Sequence, residues 1–177
     1  RNLADTFIAT AVAINARRPH TRFVVPLATG ETRALFDEAL RRNGARELPL
    51  RVVFGHSVEA MTAADVVLVA SGTASLEAAL LKRPMVISYR IGKWQYRLMK
   101  RLAYLPWVGL PNILCGETVV PELLQEEATP DRLSMALERW LDDAPARAAL
   151  ERRFTELHLS LRQDTAEKAA AAILPYL

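Results

Sequence analysis

The residues best suited to chemistry stand in one stretch, Ala64 to Glu77, which reads ADVVLVASGTASLE. An apolar run enters Ser71-Gly72-Thr73 and passes directly into a helical pattern. Small residues therefore occupy the place where free backbone N–H groups and a helix dipole favour an anion. Gly72 lets a phosphate approach the backbone, and Ser71 and Thr73 offer hydroxyls for capping the helix or for a ligand. Glu77 lies one helical turn past Thr73 and on the same side, where a carboxylate would accept two hydrogen bonds from a ribose diol. The plainer reading of these residues is a capping turn followed by a solvated glutamate, and SGT alone does not separate the two.

Arg90 closes another strand-like run, so it either reaches a diphosphate from that strand end or is a solvated arginine. His20 and His158 read as surface residues; His56, after Gly55, is the one histidine placed to line a cleft. Asp65 reads as a strand-start residue rather than a catalytic one, and Cys115 as a small buried hydrophobe. With one cysteine and three scattered histidines there is no internal disulfide and no metal-ligand spacing such as CxxC or HExxH. Neither a metal nor another cofactor is expected.

The elements that must position these residues follow from hydrophobic periodicity. Helical patterns cover 5–17, with Phe7, Ile8, Ala11, Val12 and Ile14 on one stripe, and 31–42, with Leu35, Phe36, Ala39 and Leu40 inward. Strand patterns cover 22–27, 50–54, 65–70 and 85–88, with short helices over 58–63 and 73–81 between them. The unbroken VVLVA of the third strand suits a parallel sheet covered on both faces. After Pro111 the strand signals fade, and 121–125, 130–141, 144–161 and 165–174 read as helices opened by proline or by a capping residue such as Thr129 or Asp164. Strand-helix alternation of this kind predicts an α/β fold, a Rossmann-like doubly wound parallel sheet with a helical C-terminal tail, whose ligands sit at the carboxyl ends of the strands.

The chain has 177 residues, 51% hydrophobic and 24% charged, which excludes disorder. No uncharged apolar stretch approaches the ~20 residues that a spanning helix needs. The opening Arg1 and the lack of a signal-like start suggest a piece of a longer protein. The net charge of +3 is uneven: seven Lys or Arg and no Asp or Glu fall between Ala78 and Gly116, and the remainder is net −4. Within that basic region Lys93 to Trp107 (KWQYRLMKRLAYLPW) sets Trp94, Leu98, Leu102 and Leu105 among Lys93, Arg97, Lys100 and Arg101, with positions 93–104 helical in pattern. The segment suits either an interfacial helix on an anionic membrane or an amphipathic helix packed on the sheet. No nucleic-acid motif accompanies the charge, and nucleic acid is not an expected partner.

The stretch SGTASLEAALLKRPMVISYR, followed by LPNIL at 110–114 and ELLQEE at 122–127, resembles lipid-A-disaccharide synthase. RNLADTFIATA at the start and VVPLA at 24–28 extend the resemblance along nearly the whole chain. It implies the C-terminal, nucleotide-binding half of a GT-B glycosyltransferase that moves 2,3-diacylglucosamine from UDP to 2,3-diacylglucosamine 1-phosphate in lipid A biosynthesis. On that basis Asn112 matches a nucleotide-contacting Asn, the alternative being an Asx turn after Pro111, and Gln125 helps shape the same cleft, a neutral amide beside a pyrophosphate. The UDP-sugar-binding set is then Ser71, Gly72, Thr73, Glu77, Arg90, Asn112 and Gln125.

The same resemblance implies residues 1–143 as the UDP-sugar-binding domain and 144–177 as helices packed on it or exchanged within a homodimer. It further implies a lipid-linked UDP-sugar donor and a peripheral place at the cytoplasmic face of the bacterial inner membrane. The family's glycine-serine-arginine phosphate loop would precede Arg1, and its catalytic Asp belongs to the other half, so no catalytic residue is expected here and this chain alone is expected not to turn over. Two further readings remain open. One is another GT-B enzyme such as a UDP-GlcNAc epimerase; the other is a non-catalytic nucleotide- or membrane-binding module.

Overall fold

The computed structural model describes residues 2–70, 72–102 and 104–174. Strands and helices alternate as α1 (Asn2–Arg17), β1 (Phe23–Leu27), α2 (Gly30–Arg42), β2 (Leu50–Phe54), α3 (Ser57–Ala63), β3 (Val67–Ala70), α4 (Thr73–Leu80) and β4 (Met85–Tyr89). There follow α5 (Lys93–Leu102), α6 (Leu110–Cys115), β5 (Glu122–Leu124), a 3-10 turn (Gln125–Glu127), α7 (Pro130–Asp142), α8 (Ala144–Leu161) and α9 (Thr165–Ile173). All the strand pairs are parallel. They form two hydrogen-bonded ladders, β1–β2 and β3–β4–β5, rather than one continuous sheet.

Alternation along the strands explains how the ladders are covered. Leu68 on β3 and Val86 on β4 face α1 and α7, in a cluster with Ile14, Leu133, Leu137 and, from β1, Phe23. Val69, Met85 and Ile87 point the other way, onto Ala78 and Ala79 of α4 and Leu150, Phe154 and Leu157 of α8. Helices on both faces make β4 a strand buried along Met85–Ser88, as its run of apolar residues requires. A third cluster joins Ile8 of α1 to Ala39 of α2 and to Ala45. The architecture is the expected Rossmann-like α/β fold, and Phe23 beside Leu68 carries the apolar layer across the gap between the ladders.

The helix α1 is fixed from both ends. Near its start Asp5 accepts from Arg42 Nη2 (2.9 Å) and Asn43 Nδ2 (2.9 Å), and the Arg42 hydrogen bond holds this carboxyl below its ordinary range. At its end Arg17 reaches Glu138 on α7 through Nε and Nη2 and gives a further hydrogen bond to Ser134 Oγ (2.7 Å).

The structure corrects the sequence reading at three points. Residues 122–124, expected to be helical, are a strand, because pairing with the buried β4 outweighs the helix propensity of a short ELL run. Pro121 leads into it, and its carbonyl accepts from Ile87 N–H at 3.0 Å. Residues 110–115 form a helix too short to show a period, although Pro111 near its start and Gly116 past its end, at φ 68°, are its signals. Leu35 is half exposed rather than inward, as is Val12 to a lesser degree.

Gly109, before α6, lies where a side chain has no room. A Cβ there would overlap Ile87 Cδ1 and come within 3.0 Å of Glu122 Oε1. Ile87 is fully buried and cannot move aside. Gly109→Ala is therefore expected to destabilise the chain by about 1 to 3 kcal/mol, read as a lowered urea midpoint at unchanged slope.

Candidate nucleotide site at the strand ends

Parallel pairing places the loop residues by arithmetic. Ala70 on β3 is opposite Ser88 on β4, and Gly72 and Arg90 each follow two residues past that pair, so both leave the ladder at its carboxyl edge. Tyr89 is opposite Leu124, so Gln125 comes off β5 beside Arg90. Adjacent strands lie about 4.8 Å apart, and the three residues form a row along the carboxyl edge.

Gly72 adopts φ 133°, a conformation that L side chains rarely take, and opens α4 as its N-cap. As a glycine it brings no capping side chain of its own. Thr73 is the first residue of the helix and exposed, one position past the N-cap; Ser71 lies outside the described residues. Buried Ser75 instead locks the turn, its N–H and Oγ both donating to Gly72 O at 3.1 and 2.7 Å. The N–H groups of the first turn of α4 face the edge, with exposed Glu77 one turn further along.

The neighbouring loops are braced against one another. Arg90 Nε donates to Gln125 O (3.1 Å) while its side chain remains exposed. Gln125 is nearly buried, at φ 50°, a costly conformation for a non-glycine residue. Its side-chain amide, oriented to satisfy both partners, donates to Ile91 O (3.1 Å) and accepts from Ile91 N–H (3.2 Å). Gln125 therefore fastens the β4 exit loop.

Asn112 is not brought into the row. It is fully buried, and its amide is saturated within the protein: Nδ2 donates to Val120 O (2.9 Å) and Glu122 Oε1 (2.7 Å), while Oδ1 accepts from Val119 N–H (2.9 Å) and Val120 N–H (3.0 Å). An amide has two donors and two lone pairs, so none is left for a uracil unless an internal bond is surrendered. Glu122, which the sequence reading did not single out, also accepts from the N–H groups of Val108 (2.8 Å) and Gly109 (3.0 Å) at the start of α6. LPN and ELLQEE thus meet as one clamp. The signal for it was the joint occurrence of the two motifs.

The other candidates are peripheral. His56, at φ 54°, is exposed with Nδ1 3.2 Å from Glu59 Oε1, Asp65 is exposed just before β3, and His158 meets Lys82 on the surface. Cys115 ends α6, half-buried against the core, and burial pushes its thiol up. Among the described residues no His, Cys, Asp and Glu group is arranged to hold a metal ion.

Fold and edge together define a Rossmann-like α/β chain whose candidate site loops lie at the carboxyl ends of parallel strands. The lipid-A-disaccharide synthetase family matches residues 1–173, and the chain belongs to that family. Relatives named lipid-A-disaccharide synthase include those of Aromatoleum aromaticum, 73% identical over 177 residues, and Azoarcus sp., 71% identical over 177 residues. A third, from Dechloromonas aromatica, is 57% identical over 176 residues. The first two matches take in all of this chain and 45% of each relative, so the chain spans about half the length of these curated relatives.

Proposed function

We propose that this chain is the donor-nucleotide-binding half of a lipid A glycosyltransferase. The observation that carries this is the row of Gly72, Arg90 and Gln125 on adjacent strand ends, with the first turn of α4, opened by Gly72, at the same edge and Glu77 one turn beyond. In this reading the backbone at Gly72 and the first turn of α4 receive a phosphate, Arg90 neutralises a second charge, and Glu77 accepts from the ribose hydroxyls. Gln125 and Asn112 position loops rather than read the base. The sugar donor is UDP-linked and carries lipid, the acceptor site and general base lie in the rest of the protein, and the chain alone does not turn over. The helices after Asp143 cover this body or exchange with a second copy; half-exposed Leu159 and Ile173 give such an exchange apolar surface.

Calorimetric titration tests the reading. UDP is expected to bind in preference to ADP, and Glu77→Ala to cost about 1.5 to 3 kcal/mol, a loss of roughly ten- to hundredfold in affinity. Equal affinity for UDP and ADP would remove the uracil preference, and an unchanged Kd in the variant would return Glu77 to an ordinary surface residue. The placement is tested by reading the gene on both sides. An upstream coding segment of comparable length supports the nucleotide-binding half; a downstream one instead would overturn it.

A further inference from the structure

We infer that the main-chain carbonyl of Gln125 positions Arg90, holding the guanidinium by Nε so that Nη1 and Nη2 are presented together to a phosphate group. The inference rests on the proposed nucleotide site and deepens it, by assigning the group that aims its cation. Gln125 is then a positioning residue, and Arg90 the one that faces the ligand.

The backbone of Gln125 points to this. It stands at φ 50°, which costs a residue with a Cβ more than the ordinary helical or extended regions do. Strain of this kind persists only where the surrounding structure enforces it. Here it opens the 3-10 turn Gln125–Glu127 and makes one carbonyl oxygen serve two donors. Ala128 N–H closes the turn at 3.2 Å, and Arg90 Nε takes the other lone pair at 3.1 Å. Ala128 is fully buried, so the turn is seated in the core and the carbonyl cannot swing away. The side-chain amide of the same residue holds both Ile91 N–H and Ile91 O. One residue at the exit of β5 thereby fixes the Arg90 side chain and the backbone just after it.

What remains free on Arg90 gives the arrangement its sense. A guanidinium carries five N–H donors in a planar fork, and the anchor takes only the one on Nε. Among the described residues neither Nη nitrogen of Arg90 has a partner, and the side chain is exposed. Arg17, Arg33, Arg42 and Arg153, by contrast, are paired with carboxylates of the protein. Two N–H groups held in one plane suit two oxygens of one phosphate. A lysine has a single nitrogen and cannot be anchored by one atom while offering two others. Arg90 leaves β4 next to β3, from which Gly72 leads into the first turn of α4, so the fork and the backbone N–H groups flank one anion.

Two measurements on the 177-residue chain test the assignment. The first needs no ligand. By NMR the Arg90 Nε–H is expected to exchange with water about tenfold more slowly than that of exposed Arg139. Gln125→Val should abolish the difference, because a β-branched residue resists this φ, and Gln125→Gly should keep it. Both variants lack the amide, so the contrast reads the backbone alone. The second is calorimetric titration with UDP and with inorganic pyrophosphate. Arg90→Lys and Gln125→Val should each lower affinity about tenfold and Gln125→Gly less than about threefold, while Arg90→Lys/Gln125→Val loses no more than either single variant. A merely structural role would let the two losses multiply, and that result overturns the inference. So does fast exchange of Nε–H in the parent, or parental affinity in a Gln125→Val chain that circular dichroism shows to be folded. Should that variant not fold, Gln125→Ala takes its place in every comparison. The expected pattern with pyrophosphate, but UDP bound no better than pyrophosphate, counts against the nucleotide reading and leaves the positioning role standing. Binding of neither probe overturns both.

Discussion

Replacing Asn112 by Ala is expected to destabilise the folded chain by about 3 to 5 kcal/mol, because it orphans several buried groups at once. The N–H groups of Val119 and Val120 lose their acceptor, Val120 O loses a donor, and Glu122 loses one of its three hydrogen-bond partners. Asn112→Asp should be no better, since it keeps the acceptor but sets a second carboxylate against Glu122. Urea denaturation followed by circular dichroism measures the loss. The experiment also decides between clamp and ligand. A variant that unfolds at nearly the parental urea concentration but loses UDP affinity would show the amide to be a nucleotide contact after all.

Phe154→Ala is expected to cost a comparable amount, about 3 to 5 kcal/mol, or roughly 6 to 20 °C in Tm for a chain of this size. Phe154 has no exposed surface and sits among Met61, Ala78, Ile87, Val120 and Leu157, where α8 covers β3, β4 and α4. Truncation leaves a cavity that fully buried neighbours cannot fill. Thermal unfolding at several protein concentrations adds a second readout. A Tm that is independent of concentration fits α8 covering its own chain, and one that rises with concentration would mean that a second copy supplies the helix. The core cluster crosses residue 143, joining Leu150, Phe154 and Leu157 of α8 to the strands and α4.

What was legible in the sequence was periodicity and what ends it. The Val67–Ala70 and Met85–Tyr89 strands show as apolar runs because both faces are covered, and α8 matches the expected 144–161 because Pro145 and capping Asp143 mark its start. The strand β5 was not legible: three residues carry no pattern, and their state is decided by β4, more than thirty positions earlier. The candidate site divides in the same way. The place of Gly72 as the turn out of β3 was legible, since a glycine between a buried run and a helix marks such an exit. The internal bonding of Asn112 was not legible, because a polar residue after Leu-Pro has the same appearance whether it faces a ligand or holds a loop. Only its four partners tell which, and all lie in the segment from Val119 to Glu122.

The clasp between α1 and α7 bears on the order in which the chain assembles. Arg17 and Glu138 are 121 positions apart, and Ile14 completes its apolar cluster only with Leu133 and Leu137. Although α1 precedes α7 by more than a hundred residues, it is therefore among the last helices of this chain to find its seat, and closing so long a loop slows folding far more than it weakens the finished structure. Until α7 emerges, Ile14 and Phe7 stay exposed as a sticky stripe, the kind of surface that chaperones hold during synthesis. A nascent chain arrested before residue 130 should accordingly be protease-sensitive across α1 and its turn into β1, and one released past Asp142 should be protected there.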